Sequence, residues 1–346
     1  MPAPRDVLAA RLRKQAAGCE ELGSLFYARL LELAAADLML EGPVWEVLAG
    51  HEAEPTTSAL PLRFLAAVNR LVLARELPGL ARSYPHGGYA GDVAAAWPLF
   101  KRALVERRAE VRALVDRPCQ TNEVGRSAGL LGGFLEVSRR TRLPLRLLEL
   151  GASAGLNLRW DRYRYESTTA SWGDPASPVH LDDAFTVAPD LAVDASVAVR
   201  KGCDLQPVDP LSEDGALTLR AFVWPDQPQR LVRLDGAIRV AAEVPAAVDA
   251  IGAADFLERE LAAPVTGVAT VVYHSVFRQY VTGPEAERMK DSIDRARSFA
   301  TREAPVSLLT MEPAEQSPAV AFEVRLDGEL LGTTHAHGTG VRWLLR

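Results

Sequence analysis

The sequence predicts an α/β fold, with a mainly parallel sheet in the C-terminal part and an all-helical N-terminal part. Residues 7–40 are rich in Ala, Leu, Glu and Arg, with apolar residues at helical spacing, and further helical segments follow up to about residue 140. An apolar strand then runs into a turn of small residues at 145–158, and beyond it β-branched runs alternate with helical stretches. We therefore predict a helical cap domain over residues 1–142 and a sheet domain over residues 143–346.

Composition restricts the classes of partner. The formal net charge is −6, whereas a nucleic-acid-binding protein needs a basic face. The three cysteines, Cys19, Cys119 and Cys203, are too widely spaced for a disulfide framework or a paired zinc site. The N-terminus lacks an apolar signal core, and no run approaches the roughly 18 apolar residues of a membrane span. We expect a cytoplasmic protein whose partners are small molecules, with neither nucleic acid nor membrane among them.

Helical periodicity recurs before the turn. The predicted helix at 93–115 carries charges of both signs on its polar face, which is typical of a helix surface exposed to solvent. The last helix leads directly into the apolar strand. The predicted helical segments are 7–40, 61–77, 93–115 and 122–140.

Strands and helices alternate after the turn. Apolar, β-branched runs predict strands, and the dipeptide Asp327-Gly328 between two alternating runs predicts a C-terminal antiparallel hairpin. The predicted strands are 193–199, 268–273 and 306–310, and the predicted helices are 226–244, 255–261 and 285–301.

The turn is the main functional signal. Small residues allow backbone N–H groups and a helix N-terminus to approach a ligand, and Glu149 just before the turn adds an acceptor. In open α/β sheets, ligands bind outside the carboxyl ends of the strands. The turn therefore predicts a ligand site near the middle of the chain.

Interpreted as Glu-x-Gly-x-x-x-Gly, the turn resembles the first motif of class I S-adenosylmethionine-dependent methyltransferases, with Ser153 at the usual middle glycine. The resemblance implies a Rossmann sheet ending in an antiparallel hairpin, and S-adenosylmethionine as cofactor. It also implies that Glu149 receives the cofactor's amino group, that Asp204 or Glu166 binds its ribose, and that Asp249 or Asp255 meets its adenine. The expected cofactor-binding residues are Glu149, Gly151, Ala152, Ser153, Gly155, Asn157, Asp204 and Asp255.

Interpreted as Gly-x-Ser-x-Gly, the same residues resemble the nucleophile elbow of hormone-sensitive-lipase-like esterases, with Ser153 as nucleophile. His86-Gly87-Gly88 would be the oxyanion motif, and Asp249 or Asp255 with His274 or His335 would complete a triad. However, His86 lies in a helical region, and an elbow needs several strands before it. We therefore favour the methyltransferase interpretation over the esterase.

Five ordered motifs resemble a bacterial family known as domain of unknown function 2332. They cover nearly the whole chain, which makes the resemblance specific. It implies no particular activity beyond the α/β fold and the glycine turn. The motifs are 120–126, 149–157, 200–204, 224–227 and 274–275.

Catalytic candidates follow the strand at 268–273. His274 at its end could serve as the general base for a substrate hydroxyl or another acidic proton, and Tyr280 follows in the same segment. The Asn/Asp-Pro-Pro-aromatic signature of many amino-group methyltransferases is absent, which argues against methylation of DNA or protein amides. The alternative for His274 is a structural role, in which it caps the end of the strand. Glu312, at the end of a further strand, is another candidate.

Two helical segments supply polar residues for a substrate pocket above the strand ends. The His335-x-His337 pair has no evident third ligand, so we expect no metal site. The predicted function is methylation of an unidentified small molecule, with a non-catalytic cofactor-binding or scaffold protein as a further alternative. The pocket residues are Asn122, Glu123, Arg126, Trp224 and Gln227.

Overall fold

The computed structural model describes residues 3–86, 91–314 and 321–345. The chain forms a mixed α/β structure with many helices and a large central sheet in which parallel pairing dominates. The helices are α1 (Pro4–Glu21), α2 (Leu25–Met39), α3 (Pro43–Leu48), α4 (Leu60–Leu73), α5 (Pro78–Ala81), α6 (Val93–Glu106), α7 (Arg108–Val115), α8 (Arg126–Thr141), α9 (Glu213–Ala221), α10 (Pro228–Glu243), α11 (Ala253–Glu260) and α12 (Gly283–Ser298). The strands are β1 (Leu145–Leu150), β2 (Arg164–Glu166), β3 (Ser171–Trp172), β4 (His180–Leu181), β5 (Phe185–Val187), β6 (Val197–Asp204), β7 (Ala247–Ala250), β8 (Ala269–Ser275), β9 (Val306–Pro313), β10 (Phe322–Leu326), β11 (Glu329–Thr334) and β12 (Val341–Trp343).

The chain divides into two compact units. The first contains Met1–Thr121 and Ser212–Leu231, and the second contains Asn122–Leu211 and Val232–Arg346. This division differs from the predicted boundary between residues 142 and 143. Helix α8 packs against strands of the second unit, and residues 212–231 belong to the first although they follow β6 in the chain.

The first unit is helical and has its own apolar core. Buried side chains from α1 to α7 form one cluster, to which Trp224 also belongs. Within it, the rings of Phe64 and Phe100 pack edge to face, with centroids 5.6 Å apart. Because every one of these helices buries an apolar face in the cluster, the unit has a continuous core.

The second unit is built on the central sheet, whose strand order is β5-β12-β11-β10-β9-β8-β1-β6-β7. The five strands from β7 to β9 run parallel, with β1 in their middle. From β1 the chain extends the sheet through β6 to β7, and then returns to add β8 and β9 on the opposite side of β1. The strand order therefore reverses between β1 and β8, the position at which open α/β sheets bind ligands.

Side chains along the parallel strands alternate between two faces. On one face the Tyr273 ring packs edge to face against Phe134 of α8. On the other face Leu148, Val272 and Leu150 belong to a cluster with side chains from α11 and α12. The carboxyl ends of β1 and β8 are thus held between helices on both sides.

The remaining strands extend the sheet beyond β9. Strands β10 and β11 form an antiparallel hairpin, and both residues of its Asp327-Gly328 turn have positive φ. Strands β2, β3 and β4 form a separate small sheet. No helix in the described part of the chain is long and apolar enough to cross a membrane.

Candidate functional site

The candidate site lies where the strand order reverses. Strand β1 ends at Leu150 and continues into the turn Gly151–Gly155, while the neighbouring β8 ends with His274 and Ser275. Glu149 pairs with Tyr273 in the parallel register. The structure therefore brings Glu149, the turn and His274 to one edge of the sheet, with the side chain of Glu149 on the face that packs against α8 and that of His274 on the opposite face, beside α12.

Three residues of the turn, Gly151, Ser153 and Gly155, have left-handed φ values of 66°, 52° and 65°. A Cβ atom on Gly155 would lie 2.8 Å from the Val248 side chain, and one on Gly151 would lie 2.4 Å from the Phe277 ring. Both glycines are thus required by backbone conformation and by close packing. Conformation and packing are therefore sufficient to explain both glycines without a ligand.

Three N–H groups of the turn have partners within the protein. Those of Ala152 and Gly155 donate to the carbonyls of Cys203 and Ala152 at 2.9 and 2.7 Å, and that of Ser153 donates to Asp204 Oδ2 at 2.9 Å. The turn continues into a short 3-10 helix, Leu156–Arg162. Protein acceptors therefore already use these three of the five N–H groups of the turn.

Glu149 is the most perturbed acid of the site. Its side chain is buried, with 3% of the residue exposed, and burial raises the pKa of its carboxyl to about 8. The nearby carboxylate of Asp204 raises this pKa further, whereas Tyr273, Arg159 and Arg126 oppose the shift. Near neutral pH the contacts around Glu149 therefore stabilise its ionised form less than water would.

Two buried oxygen atoms at this position lack hydrogen-bond partners. Neither Glu149 Oε2 nor the Tyr273 hydroxyl has one of standard geometry among the described residues. The guanidinium of Arg159 donates to the carbonyls of Gly155 and Val244, both at 2.7 Å, instead of forming an ion pair with Glu149. Because buried polar atoms in proteins normally have partners, this pair marks a place for a proton, a water or a ligand group.

Asp204 ends β6, the strand beside β1, whereas Glu166 lies in the small separate sheet. The Asp204 carboxylate accepts the Ser153 and Gln206 N–H groups, both at 2.9 Å. Glu166 instead forms an ion pair with Arg164 at 2.9 Å. Of the two acids considered for the ribose, only Asp204 touches the turn.

Residues before α8 support the turn from the other side. Asn122 Oδ1 accepts the Leu156 N–H at 3.0 Å, and the side chain of Asn157 bonds to Ser127 and to the Glu123 carbonyl. The guanidinium of Arg126 donates to the Ala336 carbonyl at 3.0 Å. Asn122, Glu123 and Asn157 thus hold the turn in place, a role that the expectation of a substrate pocket did not include.

His274 and Glu312 form a pair that sequence reasoning did not connect. The Nδ1 atom of His274 lies 2.6 Å from Glu312 Oε1, which also accepts the backbone N–H groups of Phe277 and Arg278 at 2.9 and 3.2 Å. Both side chains are largely buried. Because an ionised carboxylate only accepts hydrogen bonds, Nδ1 carries the proton, and Nε2 of a neutral imidazole is free to accept one.

A groove of about 870 Å³ opens beside this pair. It runs between α12 and the face of the sheet that carries His274, Leu308, Thr310 and Glu312. A volume of this order is typical of sites that hold a small molecule.

Three further residues of the second unit that were predicted to belong to the site lie outside the groove. Asp255 is exposed in the first turn of α11, which is capped by Gly252, and it forms an ion pair with Arg288. The helix therefore begins two residues before its predicted start at residue 255. Asp249 pairs with Arg259, and Tyr280 is about half exposed outside the lining of the groove.

Trp224 and Gln227 belong to the first unit. Trp224 is buried in its apolar core, with the guanidinium of Arg230 over its ring. The Gln227 amide donates to the Leu22 carbonyl at 2.7 Å and accepts from Arg230 at 2.7 Å. These contacts give both residues a structural role within the first unit.

The esterase interpretation requires a histidine beside Ser153. Within the described residues, neither His274 nor His335 forms a hydrogen bond with Ser153, and the imidazole of His274 bonds to Glu312 instead.

The proposed oxyanion motif is described only in part. His86 belongs to the first unit and bonds to Asn69 at 2.8 Å, while Gly87 and Gly88 lie outside the described residues. Among the residues that the structure describes, no cluster of three or more His, Cys, Asp or Glu side chains could hold a metal ion.

Comparison with known proteins identifies the family of the chain. The sequence matches the model of a family described as an uncharacterized protein conserved in bacteria over residues 9–343. No curated protein and no solved structure matches the chain.

Proposed function

The chain belongs to the bacterial family of domain of unknown function 2332, and we propose that it is an S-adenosylmethionine-dependent methyltransferase acting on a small molecule. The observation that carries the proposal is the buried, unpartnered Oε2 atom of Glu149 at the point where the strand order reverses. Such a carboxyl is stabilised either by a proton or by a cationic ligand group. The ammonium group of S-adenosylmethionine is a cation of this kind.

The other polar groups of the site fit the same cofactor. Each carboxylate oxygen of Asp204 accepts one backbone N–H, which leaves lone pairs for two ribose hydroxyls. The N–H groups of Ala152, Ser153 and Gly155 are already paired, so these three are not available to hold a phosphate. This combination favours a cofactor recognised by its cation and hydroxyl groups over a dinucleotide held by its phosphates.

His274 is the residue that would remove a proton from the acceptor. Glu312 fixes its Nδ1–H, so the Nε2 lone pair can take the proton that the acceptor's hydroxyl loses on methylation. When bound, S-adenosylmethionine supplies the methyl carbon, with sulfur as the leaving group that keeps the bonding electrons. The protein contributes mainly alignment and a base, which is what a displacement of this type requires.

Calorimetry with S-adenosylmethionine and S-adenosylhomocysteine tests the proposal. We expect micromolar binding to the full chain, weakened at least tenfold by Glu149→Gln, which keeps the shape of the side chain but removes its charge. Glu303→Gln, at an exposed acid, is the matched control and should bind like the native protein. Absence of binding, or equal binding by Glu149→Gln, would refute the cofactor site. Binding without turnover of any acceptor would indicate the non-catalytic alternative.

A second candidate, a serine esterase, has one observation in its favour. Ser153 adopts a left-handed conformation, which is uncommon for a residue other than glycine and often marks functional turns. Hydrolysis of para-nitrophenyl acetate that disappears in Ser153→Ala, with no binding of S-adenosylmethionine, would establish this function instead.

A further inference from the structure

The groove beside His274 has features that define what it can hold. We infer that it binds the methyl acceptor, and that this acceptor is an elongated, uncharged molecule with a hydroxyl group that reaches His274. The assignment of the groove as the acceptor site rests on the proposed methyltransferase function. Its dimensions, its charges and the position of His274 support the inference separately.

The groove is long and has an apolar base. It follows β9 from Leu308 to Glu312, a distance of about 13 Å at 3.3 Å per residue. Leu150, Phe277 and the apolar side chains of α12 contribute to its lining. An elongated molecule with an apolar body would remove this surface from water, which is the main source of affinity in such sites.

Most of the charged side chains that line the groove form ion pairs with one another. Four basic and five acidic residues line it, and three of the basic ones form ion pairs with acids that also line it. A charged ligand would compete with the partners in these pairs and lose part of its own hydration, whereas an uncharged ligand leaves every pair intact. The pairs are Lys290–Asp294, Arg297–Asp327 and Arg325–Glu323.

His274 fixes the position of the ligand's hydroxyl group. It pairs with Thr310 and so lies near the middle of the stretch of β9 that the groove follows, while Asp327 and Gly328 line the groove at the turn between β10 and β11. Because Nδ1 is held by Glu312, the Nε2 atom is an acceptor. A hydroxyl group is the simplest uncharged group that can donate to it and lose its proton there.

Binding of para-heptylphenol to the full chain, without cofactor, is the first test. We expect it to bind at least tenfold more tightly than two analogues whose chain ends in a carboxylate or an ammonium group. Its methyl ether, which lacks the donor, should bind several-fold more weakly than the phenol, and this difference should disappear in His274→Leu. Tighter binding of either charged analogue would overturn the inference.

Matched tryptophan variants on α12 locate the ligand. Ala286 is exposed and lines the groove, so Ala286→Trp should weaken binding of the phenol at least tenfold. Asp291 is exposed on the same helix but does not line the groove, so Asp291→Trp should change the affinity less than twofold. Thr310→Trp, on the opposite wall, is a second blocking variant, and thermal unfolding checks that each variant is folded.

The outcomes separate this inference from the proposed function. If S-adenosylmethionine binds through Glu149 but the phenol does not bind, or binds equally to both blocking variants, the groove assignment is wrong and the cofactor site stands. If the phenol binds in the groove while S-adenosylmethionine does not bind at all, the groove stands as a ligand site and the methyltransferase proposal is wrong.

Discussion

Glu149 and Tyr273 lie directly opposite each other on the central strands β1 and β8, and each has a buried oxygen atom without a hydrogen-bond partner among the described residues. Burial raises the pKa of both groups, and the Glu149 carboxylate raises that of Tyr273 further. The Tyr273 hydroxyl opposes the shift at Glu149, but burial outweighs this effect, so the pair is most stable while Glu149 is protonated. The free energy of folding must therefore depend on pH through this residue.

Glu149→Gln should stabilise the free protein, and the gain should grow with pH. The pKa of Glu149 is raised from its usual 4.5 to about 8 by folding, so the native state keeps a proton that the unfolded state releases between these values. Stability is thus lost as pH rises from about 4.5 to 8, at about 1.4 kcal/mol per pH unit. Glutamine does not titrate and avoids this loss. Urea unfolding at pH 5, 7 and 9 measures it.

Glu303→Gln is the control for this series, because the side chain is exposed and far less affected by burial. It should give the same unfolding free energy as the native protein at all three pH values. A Glu149→Gln variant whose advantage is constant across the series would show that Glu149 is already ionised at neutral pH.

The affinity for S-adenosylmethionine should have a maximum near pH 8. Binding pairs an ionised Glu149 with a ligand ammonium, so below pH 8 the carboxyl must first lose its proton, and affinity falls by about tenfold per pH unit. Above pH 8 an α-amino group, with a pKa of about 8, loses its charge instead. Calorimetry at pH 6, 7, 8 and 9 should give a bell-shaped curve, and a flat profile between pH 6 and 7 would exclude Glu149 from the site.

Local sequence signals were sufficient for the elements that form the edge of the sheet. The apolar runs at β1, β8 and β9 and the Asp327-Gly328 turn identified strands and a hairpin that the structure contains. Strand β7 was missed because it is four residues long and only partly buried. Choosing Asp204 over Glu166 also required the structure, since only the pairing of β6 with β1 shows which acid lies beside the turn.

Contacts between distant residues could not be predicted from the sequence. Glu312 and His274 are 38 residues apart, and they meet only because β9 pairs in parallel with β8. Likewise, nothing in the sequence of the turn shows that Asn122 accepts its Leu156 N–H. Residues 212–231 belong to the first unit through contacts such as that of Asp226 with Ser24, which are more than 200 residues apart in sequence.

Asn122→Ala should destabilise the second unit by about 1–2 kcal/mol. The alanine removes the acceptor of the Leu156 N–H, a donor held in partly buried surroundings, and an unsatisfied buried donor carries a penalty of this order. Asn122→Asp keeps an oxygen at the same position and should recover most of the loss. Chemical unfolding of the three proteins measures the difference. Equal stability of all three would show that water replaces this contact without penalty.

Gly155→Ala should lower stability for two separable reasons. Its φ of 65° disfavours a side chain by about 1–2 kcal/mol, and the added methyl group would lie 2.8 Å from the Val248 side chain. In a Val248→Ala background the steric part is relieved while the backbone part remains, so the two substitutions should couple by about 1 kcal/mol or more. A double-mutant cycle of unfolding free energies tests this. Strict additivity of the two free-energy changes would show that the contact with Val248 does not contribute to the loss of stability.

Glu312→Leu should change which nitrogen of His274 carries the proton. In the native protein Glu312 Oε1 holds the proton on Nδ1, at a distance of 2.6 Å, and leaves Nε2 as the acceptor. Leucine has no acceptor, so the constraint is lost and the Nε2–H form becomes populated, which removes the lone pair that a base requires. Nitrogen-15 NMR of the imidazole distinguishes the two forms directly, without any substrate. His335, which has no side-chain hydrogen bond among the described residues, is the internal reference and should give the same spectrum in both proteins. An unchanged His274 spectrum would mean that Glu312 does not position this base, and a fall in methyl transfer in the variant would then need another cause.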